Sequence, residues 1–534
     1  MAFLRVEKKK SGTYLRIVQS FKQAGKAKHK TLYSLGKVED YSADQLEAIG
    51  KKLIELAGKS FEDLTNDLKE LGRFNYGFPL IVNWLWKRFA IEPFIKKKLK
   101  KRKIAFDFSA VLRLLICERL SDPASKLCSY RRQNNYIGLN HNDLQHFYRA
   151  MDVMDDIAEP LQKHLYLQQR DLFNQSLDLV FYDVTTLYFD SDKEVKDKLR
   201  QKGYSKDGKA HKLQVVLGLM VDKMRNPIGY QLYQGNQYEG KTLEDSITKL
   251  RKEYQIDKII VVTDRGMMNK DNLQAIADHH YDFIIGERLK NLPKDIKDKL
   301  IDKAHHTSFI DNEQQEKFTY RQINYQDKRI ICTWSEKRER KDAFEQEKLI
   351  EKAKALLANP SKIKQKNKRG AKRYLEFKNE EQVALDEKKI MLDKKYDGFL
   401  AISTNRKDLS VDQILSQYAN LFEVEHAFRT LKSVLDIRPV YHWNDKRING
   451  HVALCFLSYM FLNFLTKSLK ISELQLCETL EKMQLSKIKQ SKNEDPFYLR
   501  SSIDQQTQQI IDKLKLLVPK DTTPQTLVNQ YFTN

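Results

Sequence analysis

The run Ile259-Ile260-Val261-Val262-Thr263, closed by Asp264, is the feature that most restricts what this 534-residue chain can fold into. Four consecutive aliphatic residues cannot alternate between core and water, so the run predicts a central strand buried on both faces. Such a strand needs a sheet with packed layers on either side. The neighbouring segments supply them. Residues 177–189, 213–221 and 228–233 read as three strands of an antiparallel meander, with a turn at Arg225-Asn226-Pro227. Residues 242–254 carry Leu243, Ile247 and Leu250 at helical spacing, 269–279 form a short helix and 283–286 another strand.

The resulting order, three strands, helix, strand, helix, strand, is the ribonuclease-H-like one, and the expected class is mixed α/β. Around it, 14–18 and 31–36 alternate as strands of a small antiparallel unit ending near residue 40. Leu46, Ile49, Leu53 and Leu56 predict a helix over 42–57, capped by Ser42 or Asp44. From residue 79 to about 173 the pattern is helical, broken at Pro93, Pro123 and Pro160. The rhythm is lost between about 289 and 394, returns with a strand at 399–403, and continues as one long helix over about 410–435. The tail from about 471 reads as helical.

Charge narrows the partners. Lys and Arg number 95 against 72 Asp and Glu, a net charge of +23. With 41% hydrophobic residues this suits a soluble protein of three or four domains that meets a polyanion, most simply nucleic acid. Five cysteines without CxxC spacing support neither a disulfide framework nor a structural zinc site, and fit a reducing compartment, the cytoplasm. The N-terminus lacks a signal-type apolar core. The apolar stretch 452–465 is short for a membrane span and is expected as a buried core helix, so no membrane partner is expected.

Three carboxylates stand out. Asp183 lies inside an apolar strand, where a carboxylate is costly unless paired or bound to a cation. Asp264 ends the buried strand, where ligands sit in open α/β sheets, although an aspartate there often only caps the next loop. Glu425 falls in a stripe with Tyr418, Leu421, Phe428 and Lys432, at steps of three and four residues, that is expected to face packed protein. Glu423 is expected on the solvent side, and Arg429 is the i+4 partner that Glu425 would have if its role were only structural. Two aspartates and a glutamate make an oxygen-only donor set suited to Mg²⁺ or Mn²⁺. Two such ions about 4 Å apart suit phosphodiester chemistry.

These residues resemble a DDE-type transposase of a bacterial insertion sequence, in the group whose signature reads Tyr, two residues, Arg, three residues, Glu, six residues, Lys. Tyr418, Glu425 and Lys432 match at those intervals, while Leu421 holds the arginine position. Phe181-Tyr182-Asp183-Val184-Thr185-Thr186, Gly203-Tyr204-Ser205-Lys206-Asp207, Gly235-Asn236, Thr263-Asp264-Arg265-Gly266-Met267, Arg438-Pro439-Val440-Tyr441-His442 and, upstream, Pro123-Ala124-Ser125-Lys126 carry the same likeness.

The resemblance implies Asp183, Asp264 and Glu425 as catalytic residues and ligands of two Mg²⁺ or Mn²⁺ ions. It implies Tyr418, Lys432, Arg429, Arg438 and His442 as DNA contacts, with Trp443 on the DNA path or in the core. Asp183 and Asp264 are 81 residues apart but Asp264 and Glu425 are 161 apart, leaving room for the β-rich insertion found in this group. The expected architecture is therefore a ribonuclease-H-like core interrupted by an insertion, with a mainly helical N-terminal region and a helical C-terminal tail. Its parts are a β unit at 1–40, a helical DNA-binding region at 41–175, core at 176–289, insertion at 290–395, core at 396–470 and a helical region at 471–534. The basic clusters at 96–103 and 362–373, the latter with seven Lys or Arg and no acid, become candidate DNA contacts. The implied reaction is hydrolysis at the element's ends followed by attack of the freed 3′-hydroxyl on target DNA. The partners are double-stranded terminal inverted repeats and target DNA, bound by a homodimer. A ribonuclease-H-like nuclease that cuts without joining and an idle DNA-binding relic are the alternatives.

Overall fold

The computed structural model describes residues 2–23, 26–58, 68–139, 141–169, 179–190, 199–204, 211–254, 259–310, 317–358, 370–377, 383–490 and 495–532. The chain splits into two compact units: Met1–Phe74 with Leu485–Ser502 and Pro519–Asn529, and Asn75–Gln484 with Ile503–Val518 and Gln530–Asn534.

The first unit opens with β1 (Ala2–Lys9), β2 (Gly12–Gln23) and β3 (Lys26–Lys37), an antiparallel sheet in that order and larger than the alternation predicts. Helix α1 (Ala43–Leu56) begins at Ser42, whose hydroxyl accepts the Gln45 N–H while the Gln45 side chain accepts the Ser42 N–H. No residue of α1 is buried. Strand β4 (Leu68–Asn75) follows, inside the stretch expected to be helical.

The second unit starts with α2 (Gly77–Arg88), α3 (Ile91–Leu99), α4 (Phe108–Ser121), α5 (Lys126–Arg132) and α6 (Leu144–Gln169). Pro160 lies inside α6 without ending it, because α6 is packed along its length. The sheet strands come next: β5 (Leu179–Tyr188), β6 (Gln201–Lys202), β7 (Leu213–Asp222) and β8 (Pro227–Gln234), then α7 (Thr242–Tyr254), β9 (Ile260–Thr263), α8 (Lys270–Asp278) and β10 (Asp282–Gly286). Residues 177 and 178 of the first predicted strand lie outside the described residues. The order β8-β7-β5-β9-β10, antiparallel from β8 to β5 and parallel from β5 to β10, is consistent with a ribonuclease-H-like core.

The sheet continues through 307–334, inside the stretch where the sequence rhythm breaks. After α9 (Lys294–Ile301), strands β11 (Thr307–Ile310), β12 (Lys317–Tyr325) and β13 (Lys328–Trp334) pair antiparallel in series. Helix α10 (Glu336–Leu357), the hairpin β14 (Leu375–Phe377) and β15 (Val383–Leu385), and α11 (Glu387–Lys394) then lead to β16 (Phe399–Thr404). Strand β16 inserts between β13 and β10, giving a ten-stranded sheet.

The predicted single helix over 410–435 is two, α12 (Val411–Ala419) and α13 (Phe422–Ser433). Between them the bonds shorten to three-residue turns, Leu421 N–H to the Tyr418 carbonyl and Glu423 N–H to the Asn420 carbonyl, both 3.0 Å. Helix α14 (Asp445–Leu469) has 25 residues and is long and apolar enough to cross a membrane; most of it is buried inside the protein. A methyl group on Gly450 would sit 2.0 Å from the Met151 carbonyl oxygen, so α14 and α6 touch backbone to backbone.

After α15 (Glu473–Lys482), the tail is only partly helical. Strands β17 (Gln484–Gln490) and β18 (Phe497–Arg500), helix α16 (Gln505–Leu514), β19 (Thr522–Pro524) and α17 (Gln525–Val528) replace the expected helical region. The cause is non-local: β17 pairs with β4 from the other end of the chain, in the order β19-β18-β17-β4.

Candidate active site

Strand alternation puts both aspartates on one side of the sheet. Tyr182 pairs with Thr263, and Thr263 with Ile285, so the next positions along three parallel neighbours are Asp183, Asp264 and Gly286. Adjacent strands run about 4.8 Å apart. The Thr263 hydroxyl ties this row together by donating to the Tyr182 carbonyl at 2.8 Å. Val180, Tyr182, Val184, Val261, Phe283 and Ile285 point to the other side and pack under Leu243, Ile247 and Ile276. The aspartates therefore face α12 and α13, which pack on β9 and β10 and on β5 and β7.

Asp183 is half-buried and Asp264 exposed. Asp264 is the cap position of the turn Arg265–Met267, but only its backbone serves there: the Met267 N–H donates to its carbonyl at 3.0 Å, and the side chain makes no capping bond. Arg288 clamps this turn, its Nε donating to the Arg265 carbonyl at 3.2 Å.

On α13 the two glutamates exchange the environments expected of them. Glu423 is buried and ion-paired with Arg225 of the β7–β8 turn, while Glu425 is exposed. The expected stripe does not hold, because the break at residues 420–421 rotates α13 so that 423, 424, 427, 428, 430 and 431 form its buried face. Glu425 shares the outer face with Arg429 and Lys432 at four- and seven-residue intervals. Among the described residues no ion pair joins Glu425 to Arg429.

Tyr418 connects the strand end to α13. Burial pushes its phenol up to about 12, with the charges of Asp264 and Glu425 adding to the rise against Arg265 and Arg338. The close approach requires Gly286, where an added Cβ would lie 2.5 Å from the Tyr418 hydroxyl. Asp264 and Tyr418 line one part of a cavity of about 860 Å³ whose walls include Arg265, Arg288, Arg338, Lys341 and Arg373. Of the basic run 362–373, residues 362–369 lie outside the described residues.

The remaining expected contacts divide. Arg438 is half-buried, 5.5 Å from the Tyr188 ring centre. His442 is a correction: it lies in the interior, 7% exposed, and burial together with Lys126, Arg447 and Arg119 drives it down to about 3. A buried neutral imidazole cannot meet a phosphate. Trp443 is the exposed one, with Arg200 5.9 Å from its ring.

The supports of this site are set by contacts between segments far apart in the chain. Arg119 donates to the carbonyls of Leu435 (3.0 Å), Asp436 (3.2 Å) and Ala124 (3.3 Å), holding the turn after α13 against the 123–126 motif. Arg225, the partner of Glu423, lies within the predicted turn Arg225-Asn226-Pro227 and has a positive φ of 61°.

The donor set is all oxygen and suits hard divalent cations. Among the described residues, however, no three His, Cys, Asp or Glu side chains are gathered into a ready-made metal cage. The two aspartates are neighbours on the sheet, and Glu425 stands out from them on α13.

The comparisons agree with this geometry. Residues 174–461, more than half of the chain, match the family described as transposase DDE domain, and residues 4–63 match the IS1634 family transposase N-terminal domain. No curated protein matches the chain. A sheet that sets two aspartates side by side beneath a glutamate-bearing helix, in a chain with both matches, belongs to the DDE transposases of insertion sequences.

Proposed function

We propose that Asp183, Asp264 and Glu425 are the catalytic carboxylates and hold two Mg²⁺ or Mn²⁺ ions during cleavage and strand transfer. The observation that carries this reading is the common sheet face of Asp183 and Asp264, covered by the helices that bear Tyr418 and Glu425. Bound there, such ions polarise the phosphodiester and stabilise charge on the entering and leaving oxygens.

The protein's own groups do the rest. Tyr418 stays a protonated phenol at working pH and donates to a phosphate oxygen. Arg429 and Lys432, outward beside Glu425, and Arg438 past the end of Asp183's strand position the backbone without reading bases. Glu425 completes the site from α13 when DNA is bound. Hydrolysis at the element's ends exposes 3′-hydroxyls, which attack target DNA. The Tyr-Arg-Glu-Lys group, with Leu421 at the arginine position, is the subgroup this reading favours. Residues 176–289 and 396–470 form the catalytic core, 290–395 its insertion, 1–175 recognise terminal inverted repeats and 471–534 form a C-terminal region. A homodimer pairs two ends in the cytoplasm.

The test uses the full chain and a duplex carrying the element's end. In Mg²⁺, Asp264→Ala and Glu425→Gln should lower cleavage at least about 10³-fold while end binding stays within a few-fold. Normal cutting by Asp264→Ala defeats the assignment. A precleaved end that is never joined to plasmid would favour the nuclease instead.

A further inference from the structure

We propose that one face of the N-terminal sheet β1–β3 is a duplex-DNA reading surface that enters the major groove. The proposal rests on the transposase reading above and names where end recognition occurs.

Paired residues of antiparallel strands share a face. On one face Glu7 holds Arg5 at 3.2 Å and Arg16 at 3.4 Å, and Val18 is buried. Glu7 offsets part of the positive charge on that face, which also carries Lys9, Lys22 and Lys37. The opposite face is set by the pairs Leu4–Ile17, Val6–Leu15, Lys8–Thr13, Ile17–Tyr33, Gln19–Lys30 and Phe21–Lys28. Glu7 is the only acid in residues 2–37, and it points to the other side, so the strands themselves bring Lys8, Lys28 and Lys30 and no carboxylate to this face. Among the described residues none of these lysines has an ion-pair partner. Between them stand Phe21 at 42%, Leu4 at 54%, Val6 at 57% and Tyr33 at 64% exposure, too many large apolar groups for a face meant for water.

Charge and shape favour DNA over a second protein surface. Three strands at about 4.8 Å give a face about 10 Å across, which fits a major groove about 12 Å wide. The 12-residue strands β2 and β3 extend about 40 Å, close to one turn of duplex. The lysines meet phosphates. The exposed Gln19 carries the amide that pairs with adenine edges, and Phe21 and Tyr33 suit thymine methyls. Two bulges in the β2–β3 pairing bend this face.

The experiment measures binding of the full chain, without divalent ions, to a duplex of about 40 bp taken from the DNA immediately flanking its coding region, and to a scrambled duplex. Lys28→Gln/Lys30→Gln should lower the slope of log affinity against log salt by about two, and Lys28→Arg/Lys30→Arg should keep it. Tyr33→Ala should cut the preference for the flanking duplex about tenfold with the slope unchanged. Guanine-N7 methylation should interfere with wild-type binding. A wild-type slope in the glutamine variant together with a wild-type preference in the alanine variant would overturn the proposal, as would a change in oligomeric state by light scattering with DNA binding intact. These measurements need no cleavage, so they fail independently of the catalytic carboxylates, whose variants bind DNA but do not cut it.

Discussion

Asp264 shows how little a residue's neighbours along the chain say about its role. An aspartate between a strand and a turn is the usual side-chain cap, yet here the backbone makes the cap and the carboxylate faces the helices. Asp183 was legible because strand alternation and an apolar context leave a carboxylate few roles. Burial was not: Glu423 and Glu425 differ by two positions, and only packing decided which was inside. The same holds for Lys126 of the 123–126 motif, 3% exposed beside Arg119 and His442, where burial drives its ammonium down to about 7. Since the unfolded chain keeps that proton up to about pH 10.5, stability must rise as the pH climbs from 7 and fall on return. Between pH 7 and 9 the wild type should gain about 2 kcal/mol relative to Lys126→Met, measured as the difference in their urea unfolding. Parallel curves would refute it.

At the scale of elements, helix α13 is held from behind. Glu423 pairs with Arg225, and the Thr430 hydroxyl donates to Glu473 at 2.7 Å, so the rotation that turns Glu425 outward is fixed on both ends. Arg225→Ala leaves Glu423 buried without its partner. The expected result is a roughly tenfold higher Mg²⁺ requirement for cleavage with end binding unchanged, partly rescued by Arg225→Lys. An unchanged metal titration would count against a positioning role. The periodicity over 410–435 is continuous and does not reveal the break at Asn420 and Leu421, where the backbone bonds tighten to three-residue turns.

At the scale of the molecule, a net charge of +23 has its physical outlet in nucleic acid. With six or more phosphates neutralised, affinity for scrambled duplex should fall at least about 10³-fold between 50 and 200 mM salt. A flat response in a filter-binding titration would exclude extended backbone contact.

Local periodicity determined the longer strands and the helices of 179–286, their order and the strand positions of Asp183 and Asp264, but not the two-residue β6, because each depends on side chains a few residues apart. The threading of β16 between β13 and β10, the pairing of β17 with β4 and the burial of Glu423 were decided by tertiary structure. Each joins segments tens to hundreds of residues apart, and the free energy that selects such partners comes from surfaces that meet only once the chain has folded.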